Sequence, residues 1–301
     1  MLRILLTGRN GQVGSELQRT LAALGEVIAV DRKAMDLSNP DSVCHAIRET
    51  KPGVIVNAAA YTAVDGAESE TDLAMQVNNA APGIMAREAK RIGALLVHYS
   101  TDYVFDGARN GLYAESDRPN PVNSYGRSKL AGEEAIRDSG APHLIFRTSW
   151  VYAARGSNFV LTMLRLARER DELRIVNDQA GAPTSAKSIA EMTARVLKDG
   201  ARARENGGLY HFTAAGAVSW FGFAEAIFAG ARSRLAGFKV PKLVPIPASE
   251  YPLPARRPAN SRLDCSKIAA TFGIAPPRWE AALEECLEEI RETERSVKRE
   301  S

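Results

Sequence analysis

The stretch that most limits what this chain can fold into is its beginning. A short apolar run, Leu2 to Thr7, ends in a glycine-rich turn, after which Val13, Leu17, Leu21 and Leu24 recur at helical spacing. The pattern predicts strand, tight turn, helix. The turn reads Thr7-Gly8-Arg9-Asn10-Gly11-Gln12-Val13-Gly14, a G-x-x-G-x-x-G spacing that differs from the more familiar G-x-G-x-x-G. Glycine suits such a turn because the backbone can approach a pyrophosphate closely, and the helix that follows offers unpaired N–H groups with a partial positive charge. A tight turn that binds nothing would carry the same glycines.

Downstream, strand-like and helix-like segments alternate. Glu26 to Val30 predicts a second strand ending at Asp31-Arg32, about twenty residues past the glycines, where the adenosine ribose of a dinucleotide is read. Asp31 would accept from a free 2′-hydroxyl and Arg32 would neutralise a 2′-phosphate; the expectation is NADPH with tolerance for NADH. Pro40, preceded by Ser38 and Asn39 as cap candidates, predicts a helix to about Thr50. Gly53 to Asn57 has the unbroken apolar character of a buried parallel strand and runs into Ala58-Ala59-Ala60-Tyr61-Thr62, whose small side chains would let a cofactor lie against the backbone. A long helical segment from about Thr71 to Arg91 carries Asn78 and Asn79, and Leu95 to Ser100 is a fourth strand, with His98 read as a packed residue and not a ligand. His143 to Arg147 is a fifth.

This alternation predicts an α/β fold, a doubly wound parallel sheet of the NAD(P)-binding Rossmann type over residues 1–150, with its cleft beyond the carboxyl ends of the strands. Past Thr148-Ser149-Trp150-Val151-Tyr152 the alternation loosens. Loops at Gln179 to Thr184 and Leu253 to Pro258 and helices near Ser185 to Lys198, Trp220 to Leu235 and Ala281 to Glu294 predict a second, smaller substrate domain. It would be discontinuous, mainly 151–301, with elements from about 180–200 returning to the first domain. From Glu292 onward the chain reads as a charged, solvated end.

Composition excludes several classes of function. Hydrophobic residues make up 45% and charged residues 25% of the 301, and no apolar run approaches the roughly 18 residues of a membrane span. The N-terminal apolar stretch is too short for a signal peptide, so cytoplasm is the expected location. Cys44, Cys265 and Cys286 lack metal-ligand spacing and read as unpaired thiols. A net charge of +3 is spread over 39 basic and 36 acidic residues without a basic tract, which argues against nucleic acid as a partner.

Candidate chemistry sits in Ser124-Tyr125-Gly126-Arg127-Ser128-Lys129, at the head of a helical segment reaching about Ser139. Four residues apart on a helix, Tyr125 and Lys129 share a face, so an ammonium can lie near a phenol and lower its pKa from about 10. Thr101, delivered by the fourth strand, could hydrogen-bond the substrate oxygen that Tyr125 protonates. A Tyr-x-x-x-Lys pair is common by chance; its setting gives it weight.

Taken together, Gly8-x-x-Gly11-x-x-Gly14, Thr101 and Tyr125-x-x-x-Lys129 resemble the extended short-chain dehydrogenase/reductases, which work mainly on nucleotide sugars. Asn57-Ala-Ala-Ala-Tyr-Thr-Ala-Val-Asp65, Ser100-Thr-Asp-Tyr-Val-Phe-Asp-Gly107, Asn123-Ser-Tyr-Gly-Arg-Ser-Lys-Leu-Ala-Gly-Glu133, Arg147-Thr-Ser-Trp-Val-Tyr152 and Asp178-Gln-Ala-Gly-Ala-Pro-Thr184 are similar to motifs of the dTDP-4-dehydrorhamnose reductase family within that class. Gly66 stands where the family commonly has a lysine. The resemblance implies reduction of the 4-keto group of dTDP-4-dehydro-β-L-rhamnose to dTDP-β-L-rhamnose. It makes Tyr125 the proton donor, Lys129 the residue that holds the nicotinamide ribose and lowers the tyrosine's pKa, and Thr101 the group that orients the ketone. Trp150 would pack along the sugar, with Asp102 and Tyr103 close to it. Cofactor contacts would fall on Gly8, Asn10, Gly11, Gln12, Val13, Gly14, Asp31, Arg32, Asp36, Leu37, Ala58, Ala59, Ala60 and Thr62, together with Tyr125 and Lys129.

Rivals are separated by few residues. Nucleotide-sugar 4,6-dehydratases resemble this chain but place an Asp-Glu pair after the threonine; Tyr103 occupies the Glu position, and a phenol is a poor base. A 4-epimerase would hold NAD tightly, against the Arg32 signal. A non-catalytic subunit similar to the regulatory β subunit of methionine adenosyltransferase is the reading from another class. The resemblance also implies a homodimer and, for some members, Mg²⁺ held by glutamates at the subunit contact. Glu16, Glu191 and Glu288 or Glu289 stand at matching positions, or are solvated helix-face charges, and no metal ligand is assigned. Arg257 either meets the substrate's diphosphate or covers the domain edge.

Overall fold

In the computed structural model, which describes residues 1–235 and 237–300, the first half of the chain follows the expected alternation. It runs β1 (Leu2–Thr7), α1 (Gln12–Leu21), β2 (Gly25–Val30), α2 (Pro40–Thr50), β3 (Val54–Asn57), α3 (Thr71–Met75), α4 (Ala81–Ile92), β4 (Leu95–Thr101), α5 (Ser124–Asp138) and β5 (His143–Thr148). Local chemistry sets the boundaries. Asn39 Oδ1 accepts from the N–H groups of Asp41 and Ser42 with Pro40 at the first helical position, and α4 stops at Gly93, whose φ of 70° a glycine adopts without strain. The segment expected as one helix is helical throughout, with a π-helical turn at Gln76–Ala80 joining α3 to α4.

The rest contributes β6 (Val151–Tyr152), α6 (Phe159–Glu169), β7 (Glu172–Val176), β8 (Ala180–Gly181), β9 (Thr184–Ser185), α7 (Ala186–Lys198) and α8 (Gly200–Glu205). Then come β10 (Gly208–His211), β11 (Val218–Ser219), α9 (Trp220–Arg234), β12 (Lys242–Ile246), α10 (Ser266–Phe272) and α11 (Trp279–Glu300). Glu292 onward therefore continues a helix, with Arg168 reaching Glu294, and is not a free end; Ser301 lies outside the described residues.

Six strands form one parallel sheet in the order β2-β1-β3-β4-β5-β10. Side chains alternate between its two faces. Ile4, Leu6, Val56, Val97, Leu144 and Phe146 face α1 and α7, where Leu17, Leu21, Ile189 and Val196 complete a buried cluster. Leu5, Ile55, Leu96 and Ile145 face the other way, onto Val43 and Ile47 of α2, Met85 and Ala89 of α4 and Ile136 of α5. Burial on both faces is what makes these strands read as unbroken apolar runs. The order reverses between β1 and β3, since the chain passes from β1 outward to β2 and then returns to the far side of β1. Ligands of such sheets bind in the crevice that opens there, beyond the carboxyl ends of the strands.

The sixth strand, β10, was not among the expected ones. It pairs with β5 in register from Gly208 opposite Leu144 to His211 opposite Arg147, and α7 and α10 pack beneath it through Ile189 and Ile268. A separate cluster gathers Met163 and Leu164 of α6, Phe223 and Phe228 of α9, and Leu283 and Leu287 of α11, beside the paired strands β7 and β12. All three cysteines are free thiols. Among the described residues no helix is long and apolar enough to cross a membrane.

Candidate functional site

The cleft is built where β1, β3 and β4 end. Gly8, at φ +71°, closes the turn after β1 so tightly that a Cβ there would lie 2.9 Å from the backbone of Ala58 and Ala59 after β3. A Cβ on Gly14 would lie 2.0 Å from the Gly8 oxygen, so only glycine lets α1 start this close to the turn. No side chain caps α1 at Gly11. Its first N–H groups, on Gln12, Val13 and Gly14, therefore face outward at the positive end of the helix, an arrangement that fits a pyrophosphate. Asn10 and Thr62 are exposed on the rims of this crevice, and Ala58, Ala59 and Ala60 are half-buried along its wall. Gln12 reaches across, its Oε1 accepting from Asn158 Nδ2 at 2.9 Å.

Beyond β2 the adenosine-side residues are occupied with one another. Asp31 Oδ1 accepts from the N–H groups of Lys33 and Ala34, so that oxygen shapes its own turn. Arg32 is exposed and lies 3.6 Å from Asp36, whose carboxylate also accepts from Ser38 and is held below the usual carboxylate range chiefly by that contact. Leu37 is buried in the core beneath them. Arg32 and Lys33 thus stand exposed at the surface of this patch, Arg32 beside Asp36.

Thr101 is the last residue of β4. Its Oγ1 accepts from the Tyr103 N–H at 3.1 Å and donates to Asp102 Oδ1 at 3.0 Å, which starts the 3₁₀ turn Asp102–Val104. Helix α5 is brought onto this turn by caps and by a glycine. Asn123 Oδ1 accepts from the Gly126 N–H, and Glu68 accepts from both the N–H and the hydroxyl of Ser124. A Cβ on Gly126 would lie 2.1 Å from the Tyr103 oxygen. Tyr125 therefore sits in the first turn of α5, half-buried, its ring edge-on to that of Tyr103 at 5.9 Å. Asn78 fastens the Ala58–Asp65 loop to the same helix, bonding both polar atoms of the Tyr61 backbone and the Ser128 hydroxyl.

Electrostatics depart from the expectation for the Tyr-Lys pair. Tyr125 is pushed up to about 12 by burial, with the Asp102 carboxylate adding to the rise and a hydrogen bond with Thr101 opposing it. The groups that shift it do not include Lys129, whose Nζ donates to the Tyr99 carbonyl at 2.7 Å and lies 3.2 Å from His98 Nε2. Helical spacing put both residues on one face, as read; the backbone of β4 then claimed the ammonium. Burial also pushes Lys129 down to about 8 and Asp102 up to about 6. Asp102 Oδ2 is buried without a hydrogen-bond partner. His98 is buried and packed, bonded to Asn57 as well as to Lys129.

Trp150, at a φ of 47° unusual for a bulky side chain, stacks on Trp220 with ring centroids 3.4 Å apart and lies against Gly181, where a Cβ would meet its indole at 2.4 Å. Arg257 forms a doubly bonded pair with Asp65 at 3.0 and 2.7 Å and so joins the Leu253–Pro258 loop to the Ala58–Asp65 loop; of its two readings, the domain edge is the one these contacts favour. Gly66 has its own reason: a Cβ there would lie 2.5 Å from the Tyr61 hydroxyl, which donates to Glu70.

Magnesium finds no fit in the single chain. Glu16 pairs with Arg19, Glu288 with Arg291 and Glu289 with Arg155, and among the described residues no three potential metal donors gather. Reasoning from sequence missed Glu68, Trp220 and the Glu133–Arg147 pair described below. Glu133 carried a usable signal, lying four and eight residues beyond Lys129 and Tyr125 on the same helical face.

The model of the RmlD substrate binding domain family matches residues 2–292. The chain is 52% identical over 295 residues to the dTDP-4-dehydrorhamnose reductase of Burkholderia thailandensis, covering 96% of this chain and 99% of that one. It superposes on the crystal structure of a dTDP-4-dehydrorhamnose reductase from Clostridium acetobutylicum with a TM-score of 0.89 at 38% identity, over 96% of this chain and 100% of the other. It matches the Bacillus anthracis enzyme in complex with NADP equally well, with a TM-score of 0.89 at 37% identity and the same coverage.

Proposed function

We propose, for a chain that belongs to the RmlD substrate binding domain family of dTDP-4-dehydrorhamnose reductases, hydride transfer from NADPH, or NADH, to the C4 ketone of dTDP-4-dehydro-β-L-rhamnose. The product is dTDP-β-L-rhamnose, the last compound in the synthesis of that sugar donor. The observation that carries the reading is the convergence of Thr101, Asp102, Tyr103 and Tyr125 at the carboxyl end of β4, with the glycine turn after β1 opening into the same crevice of the sheet.

When bound, the reduced nicotinamide supplies the hydride. The residues of the chain do the rest. Gly8, Gly11 and Gly14 leave room for the pyrophosphate, and the α1 N–H groups neutralise part of its charge. Arg32 takes the 2′-phosphate where there is one, beside Asp31, Asp36 and Leu37, and Ala58, Ala59, Ala60 and Thr62 form the wall. Tyr125, whose raised pKa keeps its proton in place at neutral pH, donates that proton to the C4 oxygen as charge develops there. Thr101 hydrogen-bonds the phenol and orients the ketone, Lys129 steadies the ribose side, and Trp150 supplies an aromatic wall for the sugar beside Asp102 and Tyr103.

A full-length match to reductases supports turnover over the binding-subunit reading. The same proposal divides the chain into a dinucleotide-binding domain, 1–150 with returning elements, and a mainly C-terminal substrate domain. The separate core around α6, α9 and α11 supports that division. It also takes in a homodimer, to be weighed by light scattering, and a cytoplasmic location. Loss of NADPH absorbance on adding the keto-sugar nucleotide to the purified chain alone tests the function; folded protein that binds NADPH but consumes none would reject it.

A further inference from the structure

The buried imidazole of His98 takes no part in the mechanism above, yet it is bonded to Lys129, which does. A continuous chain of hydrogen bonds runs from the glycine turn to Lys129. Thr7 Oγ1 donates to Asn57 Oδ1 at 2.7 Å, Asn57 Nδ2 faces His98 Nδ1 at 3.0 Å, and His98 Nε2 faces Lys129 Nζ at 3.2 Å. Thr7 also accepts from the Ala59 N–H at 3.2 Å, so the chain begins on the wall of the cofactor crevice. His98 and Asn57 are each about 1% exposed, which leaves neither access to bulk water.

Such a chain has a direction. With Asn57 Oδ1 accepting from Thr7, its Nδ2 donates to His98 Nδ1, and a neutral imidazole must then carry its proton on Nε2. That N–H points at Lys129 Nζ, which can accept only as the neutral amine; its remaining hydrogens serve the Tyr99 carbonyl. An ammonium requires the reverse order. Lys129 then donates to His98 Nε2, the imidazole proton moves to Nδ1 and donates to Asn57 Oδ1, and the reversed amide donates to Thr7 Oγ1. Conversion between the two takes up or releases one proton overall. The placement of Asn57, with Oδ1 toward Thr7, is the one that corresponds to the neutral-amine order.

We propose that His98 is a positioning residue whose tautomer, passed through the Asn57 amide, couples the charge of Lys129 to the hydroxyl of Thr7 at the cofactor's phosphate turn. The reading rests on Lys129 being a working residue of the reductase site, as proposed above. Linkage makes the coupling reciprocal: an anion that favours one orientation of Thr7 favours one charge on Lys129. The titratable and charged groups around Lys129 are His98 on β4, Tyr125 and Glu133 on its own helix, Arg147 on β5 and Asp102 after β4. Of these Glu133 alone acts on its charge, in favour of the ammonium, and Glu133 is already held by Arg147 and Ser100. The imidazolium is disfavoured by burial and by the Lys129 charge, so His98 answers by changing tautomer and not by becoming charged.

The test is ¹⁵N NMR of histidine-labelled full-length protein without cofactor, from about pH 6 to about pH 10, a range that spans both ends of the lysine titration. The four histidines are His45, His98, His143 and His211, and loss of one signal in His98→Gln assigns His98. The expected result is a neutral ring throughout, protonated on Nδ1 at the acid end and on Nε2 at the alkaline end. The ratio of the two should change about tenfold per pH unit around a midpoint near 8. Lys129→Met should abolish the switch and leave one tautomer at every pH. A single tautomer in the parent protein, an imidazolium within the range, or a switch that survives in Lys129→Met would overturn the proposal. None of these outcomes depends on turnover, so the reductase assay and this one fail separately.

Discussion

Glu133 and Arg147 form an ion pair closed on both sides, Nε to Oε1 at 2.8 Å and Nη2 to Oε2 at 2.6 Å, with side chains 0% and 1% exposed. Ser100 Oγ donates to the same carboxylate, and the Arg147 guanidinium lies 5.0 Å above the Phe105 ring. The pair ties α5, which carries Tyr125 and Lys129, to β4 and β5 at the far end of the helix from its caps. Its geometry is that of a clamp on the helix that carries Tyr125 and Lys129.

Removing one partner leaves the other charge buried and unpaired, which typically costs about 3–5 kcal/mol, whereas well-packed apolar replacement of both is often close to neutral. Glu133→Gln should therefore lower stability by about that amount in urea denaturation, and Arg147→Met alone by a similar amount. The double variant Glu133→Leu/Arg147→Met should lose less than the sum of the single losses. Additive losses would mean that the two side chains do not act as a pair.

Much of this fold could be read from the chain, and the reasons are specific. Strands β1, β3, β4 and β5 are sandwiched between helices, so each carries a run of at least three apolar residues, and these runs stand out. β10 did not, because Gly-Leu-Tyr-His is four residues of mixed character, identified as a strand only by its neighbour β5. Tyr125 and Lys129 were legible since helical spacing dictates a shared face. Where the Lys129 amino group goes was not, because its partners, Tyr99 O and His98, belong to a strand thirty residues away in sequence. Asp31 and Arg32 were likewise found as a pair, but the local turn, which residue types alone do not define, commits one Asp31 oxygen to the loop.

Tyr125→Phe removes the proposed proton donor while keeping the ring against Tyr103. Proton donation by a positioned group contributes about 10²- to 10⁴-fold, so kcat should fall by that factor with an unchanged thermal midpoint. Near-normal turnover would assign the acid elsewhere.

Lys129 gives a stability prediction of unusual sign. Its pKa is depressed in the folded protein, to about 8 from an ordinary value of 10.5. Between those values the unfolded chain binds more protons than the folded one, so stability rises with pH there, and below about 8 the folded state bears the full cost of a buried ammonium. Lys129→Met should then stabilise the protein at neutral pH by an amount on the order of 1–3 kcal/mol, the lost bond to Tyr99 offsetting part of the gain, with the advantage fading above about pH 10. Thermal melts of both proteins across pH check this; a variant less stable than the parent at pH 7 would contradict it.

At the glycine turn, Gly14→Ala sets a methyl 2.0 Å from the Gly8 oxygen, backbone that has nowhere to retreat without widening the turn. NADPH affinity measured by calorimetry should fall at least about tenfold, roughly 1.4 kcal/mol. The fold, read by circular dichroism, should persist. Unaltered affinity would remove the turn from the cofactor site.

The central claim is that the crevice at the end of β4 delivers a hydride to one carbon of the sugar. NADPH carrying deuterium at the transferred position of the nicotinamide, incubated with the purified chain and dTDP-4-dehydro-β-L-rhamnose, puts this directly to NMR of the product. The account predicts one deuterium, at C4 of dTDP-β-L-rhamnose and on a single face; an unlabelled product, or label at any other carbon, would contradict it.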